Sequence, residues 1–517
     1  MAMACAVAVF AFIGLGSWAV ASPVGSSPDD DYHLVSIWCA WGDREGLCAP
    51  GSSENERTVP HELMQWPRCY LEDSTQSGDC TISSENVSTD RGDFAQNYPP
   101  VYYRVMGLFA SDNIEASTLI MRLVNSTIFV GAVVLLFTLL RPGQRGPLLW
   151  TIAAGLVPLG IFIVPSTNPS SWAILSGLTV WIALAGYFVA TSKIRQFGLG
   201  AFAVVVAIMG AGARGDVGIF MVIAAGAASI LTFQPTRDWL RRLFVPVIVA
   251  IIGIAFFLTT GQSTDYAATT VTQVQATGGG GATETAGPTW AFLLENLTLI
   301  PSLWAGSLGT WDIGWFEVEL PETISIVMIG AFSALAYMGI RKMDWRKGLT
   351  LGLLLLALFA IPSYVLYGLQ VLVGTEVQPR YLLPLVLISI GIALYGFERD
   401  DLGLTTIQAL VLIVGVSVAN SLALFKTMRR YITGTDYTGL NLNANVEWWW
   451  QIPLSPMAAW AAGSLTFFLA LIGAYILIRT RPAEKPLPGG RSDSVKEEVN
   501  GPLPFTSSGK GQRPLHG

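Results

Sequence analysis

Three consecutive acids and a histidine lie in the stretch 29–33 (DDDYH), just after the first apolar segment of the chain. If a helix begins there, the spacing places Asp30 and His33 on one helical face, with the acids at the positive N-terminal end. An acid beside a histidine is typical of a general base, and the adjacent carboxylates of Asp29 and Asp30 could hold a divalent cation. The alternative is structural, because Pro28 followed by an acid is also a common helix start with a solvated turn.

Two arginines lie where apolar segments begin or end: Arg214 in the sequence GARGD, just before Asp216, and Arg380 in the sequence QPRY. The planar guanidinium fork of arginine matches phosphate oxygens bidentately, so both residues are candidates for binding a phosphate or diphosphate. Either could instead be a snorkelling anchor whose charged head reaches the membrane surface.

A cluster of tyrosines, Tyr98, Tyr102 and Tyr103, could line a sugar site by ring stacking and hydroxyl contacts. The alternative is an aromatic belt at the membrane surface, an interpretation that we favour for the tryptophan run 448–450. Asn168, between a threonine and a proline, is predicted to cap the helix that follows it.

The composition is that of a membrane protein. Of 517 residues, 52 % are hydrophobic and 13 % are charged, the mean hydropathy is +0.51, and apolar runs of helix-spanning length recur throughout, which excludes a soluble class. The net charge is −6 with the basic residues in short clusters, so nucleic acid is not expected as a partner. No phosphate-binding Gly-Lys-Ser/Thr motif indicates ATP hydrolysis, and no His/Cys spacing indicates zinc.

About twelve apolar segments predict an all-α polytopic bundle that would position these residues. The first, 1–21, is a signal anchor or, because it ends in Ala-Val-Ala, a cleaved signal peptide, which would leave about eleven spans. The other spans are predicted at 118–140, 148–164, 171–191, 198–213, 217–233, 243–260, 322–340, 349–371, 381–397, 404–424 and 457–478.

Basic residues recur at every second connection, which by the positive-inside rule places the loop after the first span outside and the C-terminus in the cytoplasm. That loop contains four cysteines, an even number that predicts two disulfides on an oxidising side. Four cysteines allow three pairings, of which we favour Cys39–Cys48 with Cys69–Cys80.

The chain therefore divides into membrane-spanning and extracytoplasmic parts. In order, these are the first span (1–21), extracytoplasmic loop 1 (22–116), spans 2–7 (117–260), a second extracytoplasmic loop (261–320), spans 8–12 (321–479) and a disordered cytoplasmic tail (480–517). Loop 1 ends in a stretch where Pro99 and Pro100 forbid a continuous helix. The second loop begins with a mobile Gly/Thr-rich part and ends in an interfacial segment edged by tryptophans.

The order of four short motifs resembles a bacterial membrane family common in actinobacteria, the domain of unknown function twenty-one forty-two, which is grouped with the GT-C glycosyltransferases. The resemblance covers roughly residues 1–425 and departs from the family at Asp29-Asp30, where Asp-Glu is usual, and at Pro379, where glycine is frequent. Ser170 stands where the family often has an acid, so no catalytic acid is assigned there. The motifs are PDDxxH at 28–33, YPPVYY at 98–103, PxxNP at 165–169 and RYLLP at 380–384.

The resemblance implies a GT-C-like fold in a bacterial plasma membrane, an acid after the first span acting as base, and a polyprenyl-phosphate sugar as donor. The acceptor would be an extracytoplasmic cell-wall glycan or glycolipid. On this basis we expect Asp29 and Asp30 to be the base or to contact a possible divalent cation, with His33 supporting them. Substrate would be bound by Arg214, Arg380, Tyr98, Tyr102, Tyr103, Asn168 and Tyr381. The alternatives are a transporter or flippase of lipid-linked saccharide, in which the same groups bind cargo without bond breaking, and a non-catalytic membrane scaffold.

Overall fold

Helices make up nearly all the regular structure of the computed structural model, which describes residues 2–53, 55–80, 82–261, 290–341, 343–374, 377–396 and 403–480. Nine helical segments of this part of the chain are long and apolar enough to cross a membrane, which confirms the all-α polytopic class. They are α1 (Ala2–Val20), α5 (Ile114–Leu139), α8 (Ser170–Val189), α9 (Lys193–Ala213), α11 with α12 (Arg237–Arg242 and Phe244–Thr259), α14 (Glu322–Ile340), α15 (Trp345–Leu369), α17 (Thr406–Thr433) and α18 (Pro456–Arg479).

One predicted span is interrupted, and two others are short helices. The span expected at 148–164 is broken into α6 (Pro142–Gly155) and α7 (Leu159–Ile163), because Pro158 between them has no amide hydrogen with which to continue a helix. The spans expected at 217–233 and 381–397 are the shorter apolar helices α10 (Val217–Leu231) and α16 (Pro379–Leu394). At about 1.5 Å per residue, neither is long enough to cross a bilayer unless the bilayer is locally thinned.

Loop 1, residues 21–113 between α1 and α5, has a small fold of its own. A three-stranded antiparallel sheet, in the order β1-β2-β3, packs beside three short helices. These elements are α2 (Asp30–Trp38), β1 (Ala49–Pro50), β2 (Arg57–Pro60), α3 (Glu62–Leu71), β3 (Asn86–Thr89) and α4 (Pro100–Met106). The prolines at 99 and 100 start α4, since proline is tolerated in the first turn of a helix.

Two disulfides close loops within this small fold. Cys39 pairs with Cys48 at a Cα–Cα distance of 5.3 Å, and Cys69 pairs with Cys80 at 6.4 Å. These are the two pairings favoured from the sequence. Cys39 is the residue that ends α2, so the first disulfide anchors the helix that begins at the acidic cluster.

The central helix α8 is buried along almost its whole length and packs against α9, α10 and α16. Its contact with α16 is close: a Cβ atom added at Gly177 would lie 2.7 Å from the Cα atom of Pro384. Arg214 follows the last residue of α9, Asp216 precedes the first residue of α10, and Arg380 is the second residue of α16. Helices packed around α8 therefore bring these three charged groups together.

The described part of the second loop packs on loop 1. It follows α13 (Trp290–Ala305) and runs to α14; its Trp315 donates from Nε1 to the Gly25 carbonyl oxygen at 2.9 Å, and its Glu317 accepts a hydrogen bond from the Tyr431 hydroxyl. The two long loops thus meet at one end of the bundle. The Gly/Thr-rich part and the C-terminal tail, predicted to be mobile and disordered, lie outside the described residues.

Candidate functional site

The turn at Ser27–Asp30 separates the two candidate acids. Helix α2 begins at Asp30, as expected, and the carbonyl oxygen of Asp29 accepts hydrogen bonds from the amides of Tyr32 and His33 at 3.0 and 2.8 Å. Asp29 itself has φ 61°, a left-handed conformation that aspartate adopts more readily than most residues. Its side chain makes no capping hydrogen bond, so the carboxylate is left for other partners.

Asp30 is a buried anchor beneath this turn. Its side chain is fully buried and accepts hydrogen bonds from the Thr167 hydroxyl at 2.9 Å and from the Ser27 amide at 3.2 Å. Burial raises the pKa of this carboxyl group to about 7, against the opposing field of Arg122. With both oxygens engaged inside the protein, Asp30 has no surface to offer a substrate.

Asp29 is the accessible acid. One third of its side chain is exposed, and it forms an ion pair with the buried guanidinium of Arg380. A second arginine, Arg91, lies 3.7 Å from its other oxygen. Burial alone would raise the pKa of this carboxyl group, but the positive charges of Arg380 and Arg91 outweigh that effect and hold the pKa below its usual value. The carboxyl group of Asp29 is therefore ionised at neutral pH.

Asp31, the third acid of the stretch, is held by an arginine. Its carboxylate accepts hydrogen bonds from the Nε and Nη2 atoms of Arg91 at 2.7 and 3.0 Å. Arg91 therefore bridges Asp31 and Asp29. No spacing in the sequence indicates this partner, because 60 residues separate Arg91 from Asp31.

Tyr381 lies between the two candidate phosphate-binding arginines. The guanidinium carbons of Arg214 and Arg380 lie 4.5 and 4.9 Å from the centre of its ring, and its hydroxyl accepts a hydrogen bond from Arg380 at 2.9 Å. Arg214 forms a bidentate pair with Asp216 at 3.0 and 2.7 Å. The structure thus brings both arginines close to Asp29. Each arginine already has a carboxylate partner, Asp216 for Arg214 and Asp29 for Arg380.

A cavity of about 510 Å³, which we call the apolar cavity, opens beside this group. Its walls are side chains of α10, α12, α15 and α16, among them Phe220, Phe257 and Val365, and its polar end is formed by Tyr98, Arg214, Asp216 and Tyr381. A largely apolar space with an arginine in its lining suits a molecule with an apolar chain and an anionic head.

His33 is buried and neutral. Burial lowers the pKa of its imidazole to about 3, and its Nδ1 atom lies 2.9 Å from the Tyr103 hydroxyl. Its ring packs edge-on against Tyr98, with centroids 5.5 Å apart. The structure thus links His33 to the tyrosine cluster, and the only tyrosine of that cluster at the apolar cavity is Tyr98.

Tyr102 and Asn168 support the site from beneath. Tyr102 is fully buried and accepts a hydrogen bond from Asn125 at 3.1 Å. Asn168 donates to the Pro28 carbonyl oxygen at 2.8 Å and accepts from the amide of Ser170, the first residue of α8, at 2.9 Å. The side-chain oxygen of Asn168 thus satisfies the first amide of α8, although the residue directly before the helix is Pro169. The side-chain nitrogen of Asn168 fixes the turn that carries the acids.

Sequence reasoning missed Arg122, a fully buried cation within the long helix α5. Its guanidinium donates to the carbonyl oxygens of Ala19, Ser22 and Pro23 at 2.9, 2.7 and 2.7 Å, so it holds the chain that leads from α1 to the acids. The available signal was its position inside a predicted span, where a charge is seldom placed without a role.

The prediction of an aromatic belt at 448–450 is wrong for two of the three tryptophans. Trp449 and Trp450 are buried, and Trp450 donates from Nε1 to the Val20 carbonyl oxygen at 2.9 Å. Trp450 thus contacts the end of α1, and Trp449 packs edge-on against Tyr431 of α17, with ring centroids 6.3 Å apart. The belt was inferred from residue type alone, which does not distinguish a surface ring from a buried one.

The donor set around the acids does not fit a divalent cation. No group of three or more His, Cys, Asp or Glu side chains occurs within the described ranges. The charged neighbours of Asp29 are guanidinium groups, and the oxygens of Asp30 face Thr167 and Ser27.

A family model described as "Predicted membrane protein (DUF2142)" matches residues 12–389, which is more than half of the chain. The matched range contains the acids, the tyrosines and both candidate arginines. No curated protein and no solved structure matches the chain.

Proposed function

The chain belongs to this family of predicted membrane proteins, and from that premise we propose that it is a membrane glycosyltransferase of the GT-C type. It moves a sugar from a polyprenyl-phosphate donor to an extracytoplasmic cell-wall glycan or glycolipid. The observation that carries this proposal is the apolar cavity, whose polar end holds Arg214 and lies next to the Asp29–Arg380 ion pair.

The cavity supports a lipid-linked donor. Its volume of about 510 Å³ lies within the range of about 300–1,000 Å³ typical of small-molecule pockets. Four helices supply apolar walls for an isoprenoid chain, and the arginine at the far end matches the phosphate that such a chain carries. A glycan or nucleotide would leave those walls unused.

The ion pairs indicate how donor binding prepares the base. Arg214 and Arg380 each hold a carboxylate, those of Asp216 and Asp29. A donor phosphate that binds Arg380 competes with Asp29 for the same guanidinium. As that contact weakens, the positive charge that lowers the pKa of Asp29 is shared with the phosphate, so Asp29 becomes a stronger base when the donor is in place.

Asp29, rather than Asp30, is the base in this proposal. It takes the proton of the acceptor hydroxyl as that oxygen attacks the anomeric carbon of the donor sugar. The bond between that carbon and the phosphate oxygen breaks, and the lipid phosphate leaves with the electron pair. Arg214 and Arg380 offset the charge of the leaving phosphate, while Asp30 holds the turn in place.

The test is a transfer assay with the purified full chain in lipid nanodiscs, a radiolabelled polyprenyl-phosphate sugar and a cell-wall acceptor fraction. Transfer should be abolished by Asp29→Asn and should persist in Asp112→Asn, a matched change of an exposed acid of loop 1. Undiminished transfer in Asp29→Asn would refute the assignment of the base. Movement of labelled lipid across vesicle membranes without any transfer would refute the enzyme and favour the flippase.

A further inference from the structure

A second cavity, of about 260 Å³, lies between loop 1 and the end of α12, and Tyr98 lines it as well as the apolar cavity. We call it the polar cavity, because much of its lining is polar, in contrast to the apolar cavity. Its main lining side chains are Asp93, Phe94, Gln96, Tyr98, Tyr103 and Arg104. Of this set, only the two tyrosines have a place in the proposed transfer site.

Asp93 is a fixed hydrogen-bond acceptor in this cavity. One of its oxygens, Oδ1, accepts from the Tyr98 amide at 2.9 Å and from the Tyr32 hydroxyl at 3.2 Å. Burial raises the pKa of this carboxyl group to about 6, which leaves it mostly ionised at neutral pH. The carboxylate of Asp93 thus borders the cavity and also fixes the backbone at Tyr98.

The lining combines the three kinds of group that recognise a sugar. Asp93 accepts hydrogen bonds, Arg104 donates them, and a sugar hydroxyl can do both at once. Phe94, Tyr98 and Tyr103 present aromatic rings on which the C–H face of a sugar ring can pack. By contrast, an isoprenoid chain would offer no hydrogen-bonding group to the carboxylate of Asp93 or to the guanidinium of Arg104 and would displace water from both, at a cost in free energy.

Tyr98 is the wall that the two cavities share. On its apolar-cavity side, the guanidinium of Arg214 lies 5.9 Å from the ring centre. On its other neighbouring faces lie His33, at a centroid distance of 5.5 Å, and Tyr103, at 6.1 Å. A ligand in the polar cavity would therefore meet the head of a donor lipid across one aromatic ring.

We propose that the polar cavity is the acceptor site and binds a neutral saccharide, with Asp93 and Arg104 bonding its hydroxyl groups. This inference rests on the proposed function for its role as acceptor, but binding of saccharide to the cavity can be measured without donor or transfer. Asp93 and Arg104 are binding residues here, and Asp29 remains the base.

The experiment measures two ligands separately on the full chain in nanodiscs. Saturation-transfer NMR would report binding of a panel of neutral oligosaccharides built from glucose, galactose, mannose and arabinose, and a pull-down with radiolabelled polyprenyl phosphate would report lipid binding. Arg104→Gln, a change of an exposed side chain, and Asp93→Asn should each weaken saccharide binding by about tenfold or more, because each removes a charge-assisted hydrogen bond. Asp90→Asn, an exposed acid three residues away, should leave it unchanged.

The outcomes separate the two proposals. Polyprenyl phosphate bound equally by wild type, Asp93→Asn and Arg104→Gln, with saccharide binding lost in both variants, supports the acceptor site. If the wild type binds no saccharide of the panel, or if both variants bind as the wild type does, the acceptor site is overturned while the donor site stands. If saccharide binds and polyprenyl phosphate does not, the donor proposal fails and the saccharide site survives as a binding site.

Discussion

The two acids differ in their expected titration, and this difference identifies the base. Burial raises the pKa of Asp30 to about 7, whereas the neighbouring arginines hold the pKa of Asp29 below its usual value of 3.8. A general base must be deprotonated, so activity falls on the acid side of the pKa of the base. Acidification from about pH 7 to about pH 5 is therefore the perturbation that distinguishes the two residues.

The magnitudes follow from these values. A base with a pKa of about 7 would be only about one per cent ionised at about pH 5, so the rate would fall about fiftyfold over this interval. A base with a pKa below 3.8 would still be more than about nine-tenths ionised, and the rate would hardly change. We expect the second result, because only Asp29 is accessible.

The quantity to measure is kcat/KM for the polyprenyl-phosphate sugar, since this constant reports ionisations of the free enzyme. The acceptor should be saturating at every pH, because Asp93, whose pKa burial raises to about 6, borders the proposed acceptor cavity. A profile that is flat to about pH 5 supports Asp29. An acid limb near pH 7, together with transfer that is lost in Asp30→Asn and kept in Asp29→Asn, would refute the reasoning.

Three further predictions concern stability and are measured by thermal unfolding in nanodiscs. Arg122→Gln should lower the free energy of unfolding by about 3 kcal/mol or more, because buried carbonyl oxygens lose their donor. The control Arg104→Gln, at an exposed position, should change the free energy of unfolding by less than about 0.5 kcal/mol. Equal effects of the two changes would contradict the anchoring role of Arg122. Because burial raises the pKa of Asp30, its protonated form stabilises the fold below the ordinary pKa, and this contribution is lost as the pH rises through about 7. Asp30→Asn should therefore remove that part of the pH dependence of the free energy of unfolding. An unaltered pH dependence would count against the burial of Asp30. Removing the Cys39–Cys48 disulfide by a double serine substitution should lower stability by about 2–3 kcal/mol, and no change relative to the wild type under oxidising conditions would show that the bond is not formed.

The all-α membrane class and the family could be predicted from the sequence because they depend on signals spread along the chain. Apolar runs set the helices, and ordered motifs gave the resemblance that the family model confirms. The interruption of one span at Pro158 could not be predicted in this way, because hydropathy averages over a break that a single proline makes. The GT-C grouping, the side of the membrane and the donor remain proposals.

Within the site, residue type and order predicted which groups gather, but not which way they face. Adjacent in sequence, Asp29 and Asp30 differ because the left-handed turn at Asp29 sends one carboxylate to Arg380 and leaves the other buried against Thr167. Contacts over long separations, such as Arg91 with Asp31, leave no trace in the local pattern. Such pairings depend on tertiary packing, which a single sequence does not reveal.

The most direct test of the central claim is a cryo-electron microscopy structure of the full chain in nanodiscs with a polyprenyl-phosphate sugar. The account predicts isoprenoid density in the apolar cavity between α10, α12, α15 and α16. It also predicts phosphate density within hydrogen-bond distance of Arg214 or Arg380, with the Asp29–Arg380 contact lengthened. Phosphate density remote from both arginines and from Asp29 would contradict it.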